Sequence, residues 1–273
     1  MFFIFGTPRS GTTLLATTLD LHPEIVVPRE TDFIVPLAFM VERVTKEATG
    51  KQLIAQFIVS SRYFPLSVGL YVKPAEVTEV ILGAPYTAVG MLGALSQRVA
   101  QNAGKKLAGD KSPDDLSHLN ILAKSKLIPS TEVKVIHLVR DVRDVALSLT
   151  QVEWGGTGAA TYVLQRWSYQ NMALRWLYPE PAANYLFVRY EDMVQKPAES
   201  FERITAFLGV AFQEQMLDHT RRGMALRHVK HHQHLQQPFQ ANRVGAWRKE
   251  LSPELVALCE AHGREGLEVF GYR

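Results

Sequence analysis

The segment Gly6-Thr7-Pro8-Arg9-Ser10-Gly11-Thr12-Thr13 sets two glycines five residues apart, with one arginine and four hydroxyl side chains among them. The apolar, β-favouring run Met1-Phe2-Phe3-Ile4-Phe5 precedes it. Leu14, Leu15, Thr18 and Leu19 follow at helical spacing until His22-Pro23 stops the pattern. A strand, a glycine-rich turn and a helix together make an anion site, because successive N–H groups point into one concavity and the helix dipole adds to them. The chemistry indicated is phosphate binding. A nucleotide-hydrolysing loop reads G-x4-G-K-[ST]. Here Thr12 stands at the lysine position and the positive charge sits at Arg9. Ordinary ATP or GTP turnover, in which that lysine bridges the terminal phosphates, is disfavoured.

A second polar group lies around Arg140, at the carboxyl end of the apolar run Val133 to Val139, where open α/β sheets place ligands. Ser148 falls about two helical turns later, and an arginine fork with a hydroxyl suits a second phosphate. An ion pair of Arg140 with Asp141 or Asp144 is the equally weighted structural alternative. Arg143 and Asp144 read as a solvated helix face. Lys111, in the turn Asp110-Lys111-Ser112-Pro113, is a further cation expected at the same sheet edge. Among the histidines, His22 reads as a helix stop, His137 as a core residue and His118 as a mid-helix position. His228, His231, His232 and His234 have no helical spacing and no partner acids, so they make a poor metal site. Trp154, Trp167, Tyr169 and Trp176 are cleft candidates, although most of Trp167 to Trp176 fits a core stripe better.

The elements that must carry these groups alternate. Strands are expected at Ile25 to Val27, Lys106 to Gly109, Val133 to Val139 and Tyr185 to Val188. Helices are expected from Asp141 to about Thr150, from Tyr162 to Trp176, from Phe201 to Leu208 and from Pro253 to Val269, the last capped by Ser252. That order implies an α/β fold with a P-loop-type central parallel sheet flanked by helices. Residues 33–104 read as a helical insertion broken by Pro65, Pro74 and Pro85. An insertion on a constant scaffold is expected to shape the pocket for whatever shares the site with the phosphate ligand, with core packing as the equal alternative. No linker or repeat divides the chain, so residues 1–273 read as one domain.

The 273 residues carry a formal charge of +3, too little to indicate a nucleic-acid partner. Seven Lys and Arg residues and no acid fall between Arg221 and Lys249, leaving 23 basic and 27 acidic residues elsewhere. This basic segment reads as a mobile polar lid. A single cysteine, Cys259, excludes an internal disulfide or a CxxC site. The start lacks signal-peptide features and no apolar run reaches the roughly 18 residues of a membrane span. The expectation is a cytoplasmic protein without a membrane span.

Gly6 to Leu15, paired with Arg140 and Ser148 on a strand–helix unit, resembles the sulfotransferases that use 3′-phosphoadenosine 5′-phosphosulfate (PAPS). Tyr185-Leu186-Phe187-Val188-Arg189-Tyr190-Glu191-Asp192-Met193 is similar to a third recurrent stretch of that family. The resemblance implies that Arg9, Ser10, Gly11, Thr12 and Thr13 cradle the 5′-phosphosulfate and that Arg140 and Ser148 hold the 3′-phosphate. It places Tyr190 near the adenine and Lys111 at the sulfuryl group or the leaving bridge. The histidine of the cytosolic small-molecule members is absent, because Lys111 is followed by Ser112 and Pro113. The glutamate of the carbohydrate and tyrosylprotein members corresponds in placement to Glu30, the candidate base. Gly245-Ala246-Trp247-Arg248 is similar to a Gly-x-Trp-[Lys/Arg] signature after the lid, with Arg243 nearest the expected 3′-phosphate contact; the fuller Arg-Lys-Gly form is absent. Adenosine 3′,5′-bisphosphate would be the product, no metal is required, and the acceptor is a small molecule, carbohydrate or peptide. Two other readings are a P-loop nucleotide kinase or hydrolase, and a non-catalytic nucleotide-binding module.

Overall fold

In the computed structural model the opening apolar run forms strand β1 (Phe2–Phe5), buried along its whole length. The structure describes residues 1–152, 156–178, 182–218, 220 and 238–272. Side chains alternate across a strand, and here both faces are covered. Phe3 and Phe5 enter one core, while Phe2 and Ile4 enter the other. The remaining strands are β2 (Ile25–Val26), β3 (Leu107–Asp110), β4 (Lys134–Val139) and β5 (Tyr185–Arg189). They stand in the order β2-β3-β1-β4-β5 with every pair parallel, as the sequence implies. In register, Phe2 lies opposite Lys134 and Phe5 opposite His137.

Twelve α-helices are described. The first is α1 (Thr12–Asp20), which follows β1. The insertion contributes α2 (Ile34–Arg43), α3 (Glu47–Ser60), α4 (Pro74–Gly83) and α5 (Ala88–Asn102), which bury one face of the sheet. After β3 comes α6 (Leu119–Lys124). Between β4 and β5 lie α7 (Val142–Thr150) and α8 (Gly156–Trp176). The C-terminal part holds α9 (Tyr190–Gln195), α10 (Pro197–Leu208), α11 (Trp247–Glu250) and α12 (Pro253–Val269). Ser252 caps α12 as expected, its Oγ accepting from the Leu255 amide at 3.4 Å. The chain leaves β1 toward β2 and leaves β4 toward β5, in opposite directions across the sheet, which opens a crevice at the strands' carboxyl ends.

Some expectations change. Helix α8 begins at Gly156, six residues before Tyr162, and α9 follows β5 with no turn residue to announce it. Trp167 is fully buried, but Tyr169 and Trp176 are 72% and 71% exposed. The stripe assigned to the core is therefore split between two faces of the helix. His118 ends a short 3₁₀ helix (Pro113–His118) and precedes α6, instead of lying inside a helix. Residues 221–237 of the expected lid and Trp154 lie outside the described residues. No helix among the described residues is long and apolar enough to cross a membrane.

Candidate active site

The loop between β1 and α1 turns on two left-handed residues, Arg9 (φ 69°) and Gly11 (φ 94°). A Cβ on Gly11 would stand 2.5 Å from the Tyr190 ring, so glycine both permits the turn and lets that ring close against it. A Cβ on Gly6 would meet Leu138 O at 2.5 Å, so β1 leaves the sheet tight against β4. Positive φ is uncommon for arginine, and it redirects the chain just where Arg9 must reach across the crevice. Ser10 is buried and its Oγ lies 2.8 Å from Thr7 Oγ1. Thr12 and Thr13 open α1, whose first-turn amides have no partner within the helix.

Arg9 Nε donates to Ser148 Oγ at 3.0 Å, and Arg140 Nη1 donates to Arg9 O at 3.2 Å. Arg140 Nη2 reaches Arg243 O at 3.5 Å, while its guanidinium stacks 4.4 Å from the centre of the Tyr190 ring. Tyr190 thus braces the loop and Arg140 together. Arg243 Nη2 donates to Gln151 Oε1 at 2.6 Å. None of these three arginines forms an ion pair among the described residues. Arg140 Nε is buried without a partner. Burial, and then the positive charges of Arg140 and Arg243, push the Arg9 pKa below its ordinary value. The structure thus draws three guanidiniums together with no ion pair among the described residues, although Asp144 and Glu191 lie near enough to Arg140 to act on its charge.

Arg143 and Asp144 overturn the expectation of a solvated helix face. Asp144 is 1% exposed and accepts two backbone amides, from Gly245 at 2.7 Å and Trp247 at 3.0 Å. Arg143 forks onto Asp141 (2.8 Å), reaches Glu260 (3.4 Å) and Tyr272 O (2.9 Å), and stacks 4.0 Å from Trp247. The partners that bury these charges come from the far C-terminal part of the chain, which helical periodicity cannot show. The sequence signal was indirect: an acid-free segment has to find its carboxylates elsewhere. Asp141, which follows the apolar strand β4 where a kinase or hydrolase would hold magnesium, has its carboxylate engaged by the Arg143 side chain and amide, which removes that support for the kinase or hydrolase reading.

At the other end of the crevice, Lys111 and Glu30 form an ion pair, and Lys111 Nζ also lies 3.3 Å from Thr13 Oγ1. The Lys111 side chain is 6% exposed and that of Glu30 is 49% exposed. Behind them, Asp110 is partly buried; its carboxyl accepts from Thr31 Oγ1 (2.9 Å) and its Oδ1 lies 2.8 Å from Ser112 Oγ. Burial, opposed by those two hydroxyls, pushes its pKa up to about 6. Sequence reasoning passed over Asp110, Thr31 and Ser112, although an acid ending a strand beside a cationic turn was the available signal.

Two of the three histidines that could compete with Glu30 are otherwise engaged. His22 Nε2 lies 2.7 Å from Ala211 O, and its Nδ1 accepts from the Glu24 amide. His137 bridges Tyr185 Oη (2.7 Å) and Asn171 Oδ1 (2.8 Å), and burial lowers its pKa to about 4. His118 is exposed.

The sequence and fold comparisons bear on the family and the fold. Among curated proteins, the chain is 26% identical to protein-tyrosine sulfotransferase 2 of Gallus gallus over 80% of its own length and 53% of that protein's. It is 27% identical to carbohydrate sulfotransferase 1 of Homo sapiens over 53% of this chain and 40% of the other. The chain therefore spans about half, or less, of the length of these two relatives. The sulfotransferase domain of the Synechococcus PCC 7002 olefin synthase superposes with a TM-score of 0.63 at 25% identity, covering 96% of this chain and 93% of that one. A mouse sulfotransferase solved in complex with PAP shares the fold at a TM-score of 0.51 and 15% identity, over 98% of this chain and 84% of that one. Since the model of the sulfotransferase family matches residues 2–214, the chain belongs to the sulfotransferase family.

Proposed function

We propose that this sulfotransferase takes its sulfuryl group from PAPS and passes it to a hydroxyl on a peptide, carbohydrate or small-molecule acceptor. The observation that carries the proposal is the gathering of Arg9, Arg140 and Arg243 without an ion pair among the described residues, with the Arg140 Nε buried and unmatched. A donor with phosphate groups at both ends of its ribose fits such a set: the loop and α1 amides suit the 5′ end, and Arg140 with Ser148 suits the 3′ end. When bound, the donor supplies the transferable sulfuryl group and an anionic leaving group.

This chain's own residues bind, orient and move the proton. Glu30, half-exposed on the acceptor side, takes the proton of the attacking hydroxyl. Lys111 and Arg9 counter the charge that develops on the leaving side, and Lys111 joins the base to the loop through Thr13. Tyr190 serves as a brace beneath the loop in this reading. Helices α2 to α5 frame the acceptor, and Ser61 Oγ, just past α3, donates to Asp32 beside Glu30. Peptide tyrosine and sugar hydroxyls come first as acceptor classes, because the curated relatives carry those names.

The test is transfer from labelled PAPS onto a panel of tyrosine peptides, sugars and phenols, with adenosine 3′,5′-bisphosphate binding measured in EDTA. Metal-independent binding and transfer that Glu30→Gln abolishes are expected. Tight magnesium-dependent ATP binding with no transfer would overturn the proposal.

A further inference from the structure

Ser112 Oγ has more contacts than its single proton can serve if Asp110 is ionised. It receives the Thr31 amide at 3.2 Å, lies 3.1 Å from Thr31 O and lies 2.8 Å from Asp110 Oδ1. The other oxygen of Asp110 accepts from Thr31 Oγ1. A serine hydroxyl has one donor and two acceptor positions. With an ionised Asp110, both Thr31 O and Asp110 Oδ1 demand that one proton. With a protonated Asp110, both of those contacts are matched, and the longer approach of Thr31 Oγ1 to Ser112 Oγ, at 3.4 Å, is the one left without a proton. The acid then donates to Ser112 Oγ, Ser112 donates to Thr31 O, and Thr31 Oγ1 donates to the second carboxyl oxygen.

We infer that Asp110 is a positioning residue that works as a neutral acid, tying the loop that carries Glu30 to the turn that carries Lys111. Thr31 adjoins Glu30 and Ser112 adjoins Lys111, so this hydrogen-bonded knot fixes the spacing of the two. The surroundings extend the neutral form up to about pH 6, above the range of an ordinary aspartate. Asp110 lines a small cavity with Phe3, Phe33, Leu92, Leu95 and Val99, contributed by β1, α5 and the residue preceding α2. The charged groups that act on Asp110 are Lys111 on its own turn, favouring ionisation, and Glu30 on the facing loop, opposing it. Of the nearby acids, Asp32 is turned toward Ser61, and Asp115 lies beyond Ser112 on the next turn. Burial outweighs Lys111 and raises the Asp110 pKa. When Asp110 ionises it claims the Ser112 proton, and Thr31 O loses its bond to that side chain.

The inference rests on Glu30 and Lys111 having the roles proposed above, and the experiment separates the two. An asparagine reproduces the neutral acid, its amide N–H replacing the acid proton and its carbonyl replacing the other oxygen. Asp110→Asn is expected to keep kcat within about threefold at low pH, to leave adenosine 3′,5′-bisphosphate affinity unchanged and to lack a descending limb that the wild-type kcat–pH profile shows on the alkaline side. Asp110→Ala is expected to lower kcat about tenfold or more with donor affinity intact. Thr31→Val, which keeps the acid and removes one hydroxyl, is expected to lower kcat without moving donor affinity, and it serves as the test if position 110 does not tolerate change. If Asp110→Asn falls as far as Asp110→Ala, or keeps the wild-type alkaline limb, the inference is wrong. Glu30→Gln and Lys111→Ala run in the same assay report on the reading beneath it. Full transfer by those two overturns the reading. Their loss of transfer, with Asp110→Ala unaffected, overturns the inference alone.

Discussion

The two ends of the crevice solve the problem of held charge in opposite ways. At the carboxyl end of β4, Arg143 is buried against Asp141, and Asp144 is buried under the amides of Gly245 and Trp247, which fixes the segment after Arg243 beside α7. At the carboxyl ends of β2 and β3, the pair Lys111–Glu30 is half-open to solvent, and the partly buried acid behind it has two hydroxyls as its hydrogen-bond partners. Buried ion pairs are costly to assemble and costly to break, whereas exposed pairs are worth little in stability and leave their members available. The first end therefore suits a part that binds one donor repeatedly in one pose. The second suits a part whose charges must take part in each turnover. The difference predicts that variants at the two ends will separate into changes of binding and changes of rate.

The largest effect is expected at the open end. Glu30→Gln should lower kcat by about 10²–10⁴, the range of a lost general base. Adenosine 3′,5′-bisphosphate affinity, measured by calorimetry, should stay within about twofold, since uniform binding is untouched. A parallel loss of affinity would erase the distinction between the ends. The next effect belongs to the closed end. Arg140→Ala removes a charge-assisted fork and a stacking partner of Tyr190. It should weaken bisphosphate binding by about 10–100-fold, corresponding to roughly 1.5–3 kcal/mol for a hydrogen bond to a charged group. Here kcat at saturating donor should change less than affinity does.

These contrasts also show what the sequence could disclose. The parallel sheet was legible because Phe2 to Phe5 and Lys134 to Val139 are continuous apolar runs, which is how strands buried on both faces read. Arg9, Lys111, Arg140 and Ser148 were legible because they sit at fixed offsets from those strands. Arg143 and Asp144 were not, because helical spacing gives the face of a residue and not what arrives to cover it. Their partners, Gly245, Trp247, Glu260 and Tyr272, lie about a hundred residues or more along the chain. Tyr169 and Trp176 failed for a related reason: helical spacing suggested a core stripe, yet of these three aromatics Trp167 is the one that finds core neighbours, among them Phe270 and the carbonyl of Arg140. The Asp110 knot was invisible because it depends on which hydroxyl lies opposite which oxygen.

A smaller effect should come from Asp144, the acid that two backbone amides share. Asp144→Ala leaves Gly245 N and Trp247 N without that acceptor and removes one of the carboxylates near Arg140, leaving Glu191. A stability loss of about 1–3 kcal/mol is expected in denaturant titrations, as for buried donors left unpaired. Bisphosphate affinity should drop with it, because Arg243 precedes the freed segment. Asp144→Asn keeps one acceptor oxygen and should recover part of both. If stability falls while affinity holds, the segment after Arg243 is a structural strap with no part in donor binding.

The smallest expected effect is at Ser148, and it tests whether the closed end acts as a unit. Ser148 Oγ accepts from Arg9 Nε, while the carbonyl of Arg9 accepts from Arg140. The loop arginine is therefore held at both its side chain and its backbone by residues that follow β4. Ser148→Ala deletes one neutral hydroxyl and should weaken bisphosphate binding by only a few-fold, in line with about 0.5–1.5 kcal/mol for one hydrogen bond. Its informative use is in a double-mutant cycle with Arg140→Ala. Groups that share one network couple by about 0.5–3 kcal/mol, whereas independent contacts add. Once Arg140 is gone, Arg9 has already lost its backbone tether, so deleting Ser148 should cost less than it does in the wild type. Strict additivity would mean that Arg9 keeps its pose without either residue, and that the left-handed turn at Arg9 and Gly11 alone aims the loop.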